Sequence, residues 1–254
     1  MKAYIALIKK EARENWRTYK TPLLVAVFIL FGVISPLFAK LMPEILKQLA
    51  TTGVKITLPP PTALDSWAQF FKNMRQMGLL VLVILFSGTV ATEFTRGTLI
   101  NLLTKGLPRR TVILAKFTMT TVLWTSAYAL SVAITTAYTA YYWTMPTYHH
   151  LILTFSGPWL FGLLLISLLI LGGICFTTTI GSLLTCGGAV ILMTLINIVP
   201  TWQASNPLTL ITQNLALLTG KLAVGDFWPA ALVAVGAIVI SLGSSIIIFD
   251  RRAI

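Results

Sequence analysis

Long apolar runs separated by short polar segments dominate the pattern of the chain. Six of these runs are long enough to cross the hydrocarbon core of a bilayer as helices, at residues 22–39, 76–92, 113–143, 159–179, 183–199 and 227–249. The pattern therefore predicts an all-α polytopic membrane protein with six transmembrane helices, in which residues 1–254 form a single transmembrane domain.

Residues 1–20 place apolar and basic side chains on different faces of one predicted helix. The apolar set is Tyr4, Ile5, Ile8, Ala12, Trp16 and Tyr19, and the basic set is Lys9, Lys10, Arg13, Arg17 and Lys20. We expect an amphipathic helix lying along the membrane. A secretory signal is the competing interpretation, but the apolar stretch before Lys9 is too short and no small-residue cleavage site follows.

Residues 40–75 and 201–226 are predicted to lie outside the membrane. The first segment has a break at Pro59-Pro60-Pro61, and we expect it to end in a short interfacial helix. That helix would carry Trp67, Phe70, Phe71 and Met74. In the second segment the apolar residues 208–218 are too few to span, so we expect them to dip into the outer interface.

The distribution of basic residues predicts the orientation. The two termini and the 93–116 segment hold 13 Lys and Arg residues, whereas the opposite face holds 6. Cytoplasmic loops carry the excess of positive charge, so both termini are expected in the cytoplasm and the chain in the cell membrane.

Composition agrees with a membrane protein, since 56% of residues are hydrophobic, 10% are charged and the mean hydropathy is +0.85. The net charge of +12 raises the alternative of nucleic acid. The basic residues lie at the ends of apolar runs, however, which favours a lipid membrane as partner and no nucleic acid.

Reactive groups are scarce at membrane depth. The only histidines, His149 and His150, share one predicted outer turn, and no acid lies inside a predicted crossing, so we expect neither an enzyme nor a metal site. Cys175 and Cys186 fall in apolar runs and are expected to be buried. No G-x-x-x-x-G-K-[ST] motif occurs, so a chain that moves cargo with ATP would need a separate ATPase.

One long polar segment, residues 93–116, interrupts the apolar chain. It resembles the cytoplasmic segment after the second helix in permease subunits of type-2 ABC exporters. The residues that carry the resemblance are Glu93, Arg96-Gly97-Thr98, Leu102-Leu103, Pro108-Arg109-Arg110 and Leu114-Ala115-Lys116-Phe117. The basic N-terminal helix, Asn206-Pro207-Leu208 and the ending Phe249-Asp250-Arg251-Arg252-Ala253-Ile254 are similar to the same family.

The resemblance implies a half-transporter that pairs with a second permease copy or a related permease. Two ABC ATPase subunits would bind ATP and magnesium, while this chain would bind no cofactor itself. Residues 98–105 look like the coupling helix that inserts into the ATPase, with residues 1–20 as the elbow helix beside it. The implied coupling residues are Glu93, Arg96, Gly97, Thr98, Leu99, Leu102, Leu103, Arg109 and Arg110.

Glu93 is expected to pair with Arg96, Arg109, Arg110 or the ATPase, and a solvated boundary acid is the alternative. The resemblance also suggests a cargo path lined by crossings two and five. Its candidate polar residues are Ser87, Thr89, Thr185, Thr194 and Asn197. Helix packing is the alternative role for such small residues.

The expected function is therefore outward transport of amphipathic or hydrophobic cargo, such as a peptide, an antimicrobial or a drug-like molecule. An ATPase-independent membrane scaffold or sensor that binds a peptide or partner protein is the alternative.

Overall fold

A computed structural model describes residues 2–49, 59–95, 97, 107–145 and 148–252, and helices dominate these residues. The described helices up to residue 196 are α1 (Lys2–Arg17), α2 (Lys20–Leu49), α3 (Ala63–Asn73), α4 (Leu79–Phe86), α5 (Ala91–Thr95), α6 (Arg109–Tyr142), α7 (Leu151–Phe176) and α8 (Thr179–Ile196). The short helices α9 (Pro200–Gln203), α10 (Thr209–Thr212) and α11 (Asn214–Leu218) precede α12 (Val224–Arg251). No strand occurs among the described residues.

Six helical segments of the described residues are long and apolar enough to cross a membrane, which confirms the predicted all-α polytopic fold. They are spans 1 to 6, Lys20–Leu46, Ala63–Thr95, Arg109–Tyr142, Leu151–Phe176, Thr179–Ile196 and Val224–Arg251. Span 1 packs on span 3, and span 4 packs on spans 5 and 6.

Span 2 begins well before the predicted residue 76. Helix α3 was expected as a separate interfacial element, but a π-helical turn, Met74–Gly78, joins it to α4. Trp67, Phe70 and Phe71 are buried inside the bundle, where the Trp67 ring meets Phe155 at a centroid distance of 5.0 Å. Aromatic burial therefore makes this segment part of the helical bundle and continuous with span 2.

Helix α2 and Cys175 also differ from expectation. Helix α2 continues through Pro36 and Pro43 to Leu49, past the predicted end at residue 39, because α3 packs alongside it. Cys175 is exposed although Cys186 is buried, so the expected burial of both cysteines is wrong for Cys175. Residues 208–218 form α10 and α11, whose Leu210, Leu217 and Leu218 are fully buried against the neighbouring helices.

The centre of the bundle is Trp124 of α6. Its ring stacks on Tyr128 at 5.3 Å and meets the edge of Phe28 at 5.5 Å. Its Nε1 donates a hydrogen bond of 3.0 Å to the Trp159 carbonyl of α7. A single fully buried indole thus joins spans 1, 3 and 4.

We use the name terminal face for the end of the bundle where α1, the start of α6 and the end of α12 lie together. Helix α1 packs on α6 and α2 there. Tyr4 and Thr118 share a hydrogen bond of 2.7 Å between their hydroxyl oxygens, and Leu7 is buried. Trp16 and Tyr19, in contrast, are 64% and 75% exposed, as expected for a helix that lies along a membrane surface.

Candidate functional site

Five charged side chains form a network at the terminal face. Lys10, Glu11 and Glu14 come from α1, Glu93 from α5 and Lys116 from α6; we call these five residues the charge network. Glu11, Glu93 and Lys116 are 4%, 4% and 2% exposed, so three of the charges are almost fully buried. The network thus joins the elbow-like helix to the end of span 2 and the start of span 3.

Lys116 is the centre of the charge network. Its Nζ lies 3.0 Å from Glu11 Oε1, 3.0 Å from Glu93 Oε2 and 2.9 Å from the carbonyl oxygen of Thr89. Lys116 donates hydrogen bonds to the Glu11 carboxylate and to the Thr89 carbonyl, and it forms an ion pair with the Glu93 carboxylate. The buried charge is therefore both neutralised and hydrogen-bonded, which is the condition under which a buried lysine is tolerated.

A break in span 2 makes the Thr89 carbonyl available. Turns separate α4 from α5, and the Glu93 N–H bonds to the Val90 carbonyl at 3.1 Å instead of reaching Thr89. In an uninterrupted helix the Thr89 carbonyl would accept that N–H. Lys116 supplies the missing donor. The turn thus provides an acceptor for the buried ammonium group, and the lysine satisfies the carbonyl that the turn leaves free.

Lys10 lies at the solvent side of the charge network. It pairs with Glu93, and its Nζ lies 3.2 Å from Glu14 and 3.3 Å from Glu11. Partial burial by itself would lower the pKa of Lys10, but the three carboxylates, Glu93 above all, raise it above its ordinary value. Lys10 therefore stays charged and shields the buried carboxylates from water.

Three carboxylates of the charge network could suggest a metal site, since one oxygen each of Glu11, Glu14 and Glu93 lie within 4.8 Å of one another. The ammonium groups of Lys10 and Lys116 already contact these carboxylates. Two cations balance most of the negative charge of three anions, so the arrangement is a set of ion pairs.

A second group of contacts fixes the end of α12. Arg109 donates to the carbonyl of Phe249 and to those of Asp250 at 3.3 Å and Arg252 at 2.6 Å. Arg252 in turn donates to the Ile174 carbonyl at the end of α7, and its guanidinium lies 5.5 Å from the centroid of the Phe94 ring. We call Phe94, Arg109, Phe249 and Arg252 the arginine clamp.

The last carbonyls of a helix have no partner within it, and a cation there also suits the helix dipole. Arg109 meets both needs for α12 from the first residue of α6. The arginine clamp therefore holds spans 2, 3, 4 and 6 together at the terminal face.

Replacing Arg109 by glutamine should loosen the end of α12. We expect a loss of about 1–3 kcal/mol in the free energy of unfolding, because charge-assisted hydrogen bonds to the carbonyls are removed. Amide hydrogen exchange at residues 249–252 should accelerate. Arg110→Gln is the matched control, because Arg110 is exposed and has no partner among the described residues; equal exchange in the two variants would contradict the clamp.

Four of the nine predicted coupling residues belong to the described part of the chain, and five lie outside it. Glu93 belongs to the charge network, Arg109 to the arginine clamp, and Gly97 adopts a positive φ of 67°, which glycine tolerates well. Arg110 is exposed. The others lie outside the described residues: Arg96, Thr98, Leu99, Leu102 and Leu103.

Within the described part of the chain Glu93 pairs with Lys10 and Lys116, while Arg109 binds backbone carbonyls. Arg96 lies outside the described residues, and pairing of Glu93 with Arg96 or with the ATPase stays a prediction. The alternative of a solvated boundary acid is wrong, since Glu93 is 4% exposed. Helical periodicity does not connect Glu93 with Lys10 or Lys116. The one signal in the sequence is the pair of acids Glu11 and Glu14 within an otherwise basic helix.

A groove of about 640 Å³ lies between spans 2, 4 and 5 and contains part of the predicted cargo path. Thr194 and Asn197 line it, together with Arg75 of the π-helical turn, a charge that the predicted path lacks. Ser87, Thr89 and Thr185 do not line it. Thr185 packs against Gly172, where a Cβ atom would lie 2.6 Å from its Oγ1, which agrees with the helix-packing alternative.

No family model matches the chain. Over 131 residues, 51% of this chain and 51% of the relative, the chain is 24% identical to an uncharacterized transmembrane protein, YxlG, of Bacillus subtilis strain 168. The chain thus aligns with about half the length of this relative. The similarity agrees with the six apolar helices in pointing to a multi-pass membrane protein.

Proposed function

We propose that the chain is the membrane-spanning permease subunit of an ATP-driven ABC exporter. The observation that supports this most is that residues of the charge network and of the arginine clamp lie on both sides of one segment in the sequence. Glu93 precedes residues 96–106 and Arg109 and Lys116 follow them, and each of the three is bonded to another helix. A partner that moves this segment would therefore act on several helices at once.

The route of that movement follows from the contacts. Lys116 joins the start of span 3 to the end of span 2 and to α1, while Arg109 joins span 3 to span 6. Rigid contacts of this kind transmit displacement better than a flexible loop would. In the proposed mechanism, closure of the ATPase subunits pushes on residues 98–105, and spans 2, 3 and 6 move with them.

The remaining parts of the proposal follow from the sequence. The chain lies in the cell membrane, with its termini and the terminal face on the cytoplasmic side. The distribution of basic residues favours this orientation. A separate ATPase binds ATP and magnesium. A second permease copy, or a related permease, covers exposed apolar surface such as that of Leu192 and Leu195 on span 5, which are 61% and 55% exposed.

Co-purification with the ATPase tests the docking step. Changing Leu99, Leu102 and Leu103 together to aspartate is expected to abolish the complex, because three charges replace the apolar side chains that would enter the ATPase. Lys9→Asp adds an acid on the exposed surface of α1 and is the control, expected to bind normally. If the triple variant formed the complex as well as the parent does, the docking proposal would be contradicted.

Transport in sealed vesicles separates the proposal from an ATPase-independent scaffold or sensor. Cargo accumulation should stop when the nucleotide site of the partner ATPase is disabled. Accumulation that persists would contradict the exporter, and specific binding without any accumulation would favour the scaffold.

A further inference from the structure

The groove between spans 2, 4 and 5 adjoins a smaller cavity of about 190 Å³, with Arg75, Ile211 and Thr212 lining both. The groove is mainly apolar, whereas the small cavity also has Lys72 and Asn214 in its wall. We propose that the two together bind an amphiphile with a phosphate monoester headgroup. The apolar chain occupies the groove and the phosphate occupies the small cavity.

Two basic side chains give the small cavity its charge. Lys72 and Arg75 are three residues apart in span 2, and both are exposed without an ion-pair or hydrogen-bond partner among the described residues. Residues at this spacing lie on neighbouring turns of a helix. A phosphate monoester carries a charge of about −1.5 to −2 at pH 7, which two cations match. A carboxylate or a zwitterionic headgroup would leave one cation unbalanced.

Asn214 is a second, independent observation. This residue is 1% exposed, and its Nδ2 donates to the Thr154 carbonyl at 3.1 Å and the Leu210 carbonyl at 2.9 Å. Its Oδ1 has no hydrogen-bond partner among the described residues. Buried acceptors normally have a donor. The second pKa of a phosphate monoester is about 6, so its singly protonated form, which has an O–H for this oxygen, is in equilibrium at pH 7 with the doubly charged form that the two cations match.

The apolar groove is open toward the outside of the helical bundle. Leu80 and Ile191 line the groove and are 51% and 62% exposed, so an alkyl chain can enter from the outside of the bundle. A volume of about 640 Å³ is within the range of ligand-binding sites. Gly187 also lines the groove, and a Cβ atom there would meet nothing within 4 Å, so the space is open at that point.

Binding does not depend on transport, whereas the role of this amphiphile as cargo rests on the proposed exporter function. The test is equilibrium binding of hexadecyl phosphate to the full chain in nanodiscs of zwitterionic phosphatidylcholine. We expect saturable binding of one molecule per chain, and much weaker binding of hexadecanol and hexadecanoate. Loss of ATPase docking would leave this binding unchanged, so the failure of either proposal can be recognised separately.

Variants locate the headgroup and the chain. Arg75→Gln and Lys72→Gln should each weaken binding about tenfold, whereas Lys221→Gln, which removes an exposed lysine outside both cavities, should not. Gly187→Leu should block the groove, while Gly236→Leu, at another open position, is the control.

Several outcomes would overturn the site. Equal binding of hexadecanol would exclude headgroup recognition, and equal binding of hexadecanoate or of phosphatidylglycerol would exclude the preference for a phosphate monoester. Equal losses in Arg75→Gln and Lys221→Gln would show that only net charge matters. If Gly187→Leu converted a dimer to a monomer and left binding unchanged, the groove would be an interface between two copies.

Discussion

Replacing Lys116 by methionine is expected to destabilise the protein by about 3–5 kcal/mol, the range seen when one partner of a buried ion pair is removed. Lys116 is 2% exposed and contacts the buried carboxylates of Glu11 and Glu93. Methionine fills a similar volume, so the loss arises from two buried carboxylates that keep only Lys10 as a cation among the described residues, and not from a cavity. The free energy of unfolding in mixed detergent micelles is the measurement.

A double variant isolates the electrostatic part. Glu93→Gln removes one of the two carboxylates that lose Lys116, so Lys116→Met combined with Glu93→Gln should lose less stability than the two single losses added together. Lys9→Met is the matched control for removing a lysine at the terminal face, because Lys9 is exposed. Its effect should stay within about 0.5 kcal/mol. Additive losses in the double variant would show that Lys116 and Glu93 do not interact.

The charge network also has a consequence for the exporter proposal. A buried pair needs accurate geometry, since both ions have lost their hydration. Movement of α5 away from α6 would separate Glu93 from Lys116 in a medium where that separation is unfavourable. The two helices that flank residues 96–106 are therefore expected to move together, which is the behaviour required of a coupling unit.

The fold was largely predictable because membrane spans depend on a simple property, the length of an apolar run. Spans 3, 5 and 6 begin and end within four residues of their predicted bounds, whereas span 4 begins at Leu151 instead of residue 159. Turn-forming residues such as Pro146 interrupt the runs, and the charged Lys221 lies between spans 5 and 6. Span 2 was harder to delimit. Trp67, Phe70 and Phe71 have the composition of an interfacial helix, and only their packing on Phe155 shows that they belong inside the bundle.

The candidate site was only partly predictable, for a physical reason. Glu93 stands out as a single acid beside a basic segment, but its partner Lys10 is 83 positions away, and Glu11 is 105 positions from Lys116. Helical periodicity describes neighbours three or four residues apart and carries no information on such pairs. The role of Arg109 was hidden in the same way, because it binds backbone carbonyls that any sequence would present.

The second large effect is expected at Gly162, where helix α7 passes against Trp124. A Cβ atom at Gly162 would lie 2.4 Å from Trp124 Cε2 and 2.5 Å from Cζ2. The indole has little freedom to withdraw, because Tyr128 and Phe28 contact its ring and the Trp159 carbonyl accepts its N–H. Gly162→Ala should therefore destabilise the protein by about 3 kcal/mol, near the upper end of the usual range for overpacking.

The proper comparison is Gly236→Ala, because alanine stabilises a helix relative to glycine by up to about 1 kcal/mol and both variants share that gain. A Cβ atom at Gly236 would meet nothing within 4 Å, so this variant should be neutral or slightly more stable than the parent. The difference between the two unfolding free energies then measures the contact with Trp124 alone.

Trp124→Phe tests whether the indole causes the effect. Phenylalanine lacks the outer part of the indole, including Cζ2 and Nε1, so this change loses the hydrogen bond to Trp159 but also makes room for a methyl group at position 162. Gly162→Ala should consequently be much less harmful in the Trp124→Phe protein than in the parent. If the loss is as large in both backgrounds, the clash lies elsewhere, and the close approach of spans 3 and 4 does not depend on the indole.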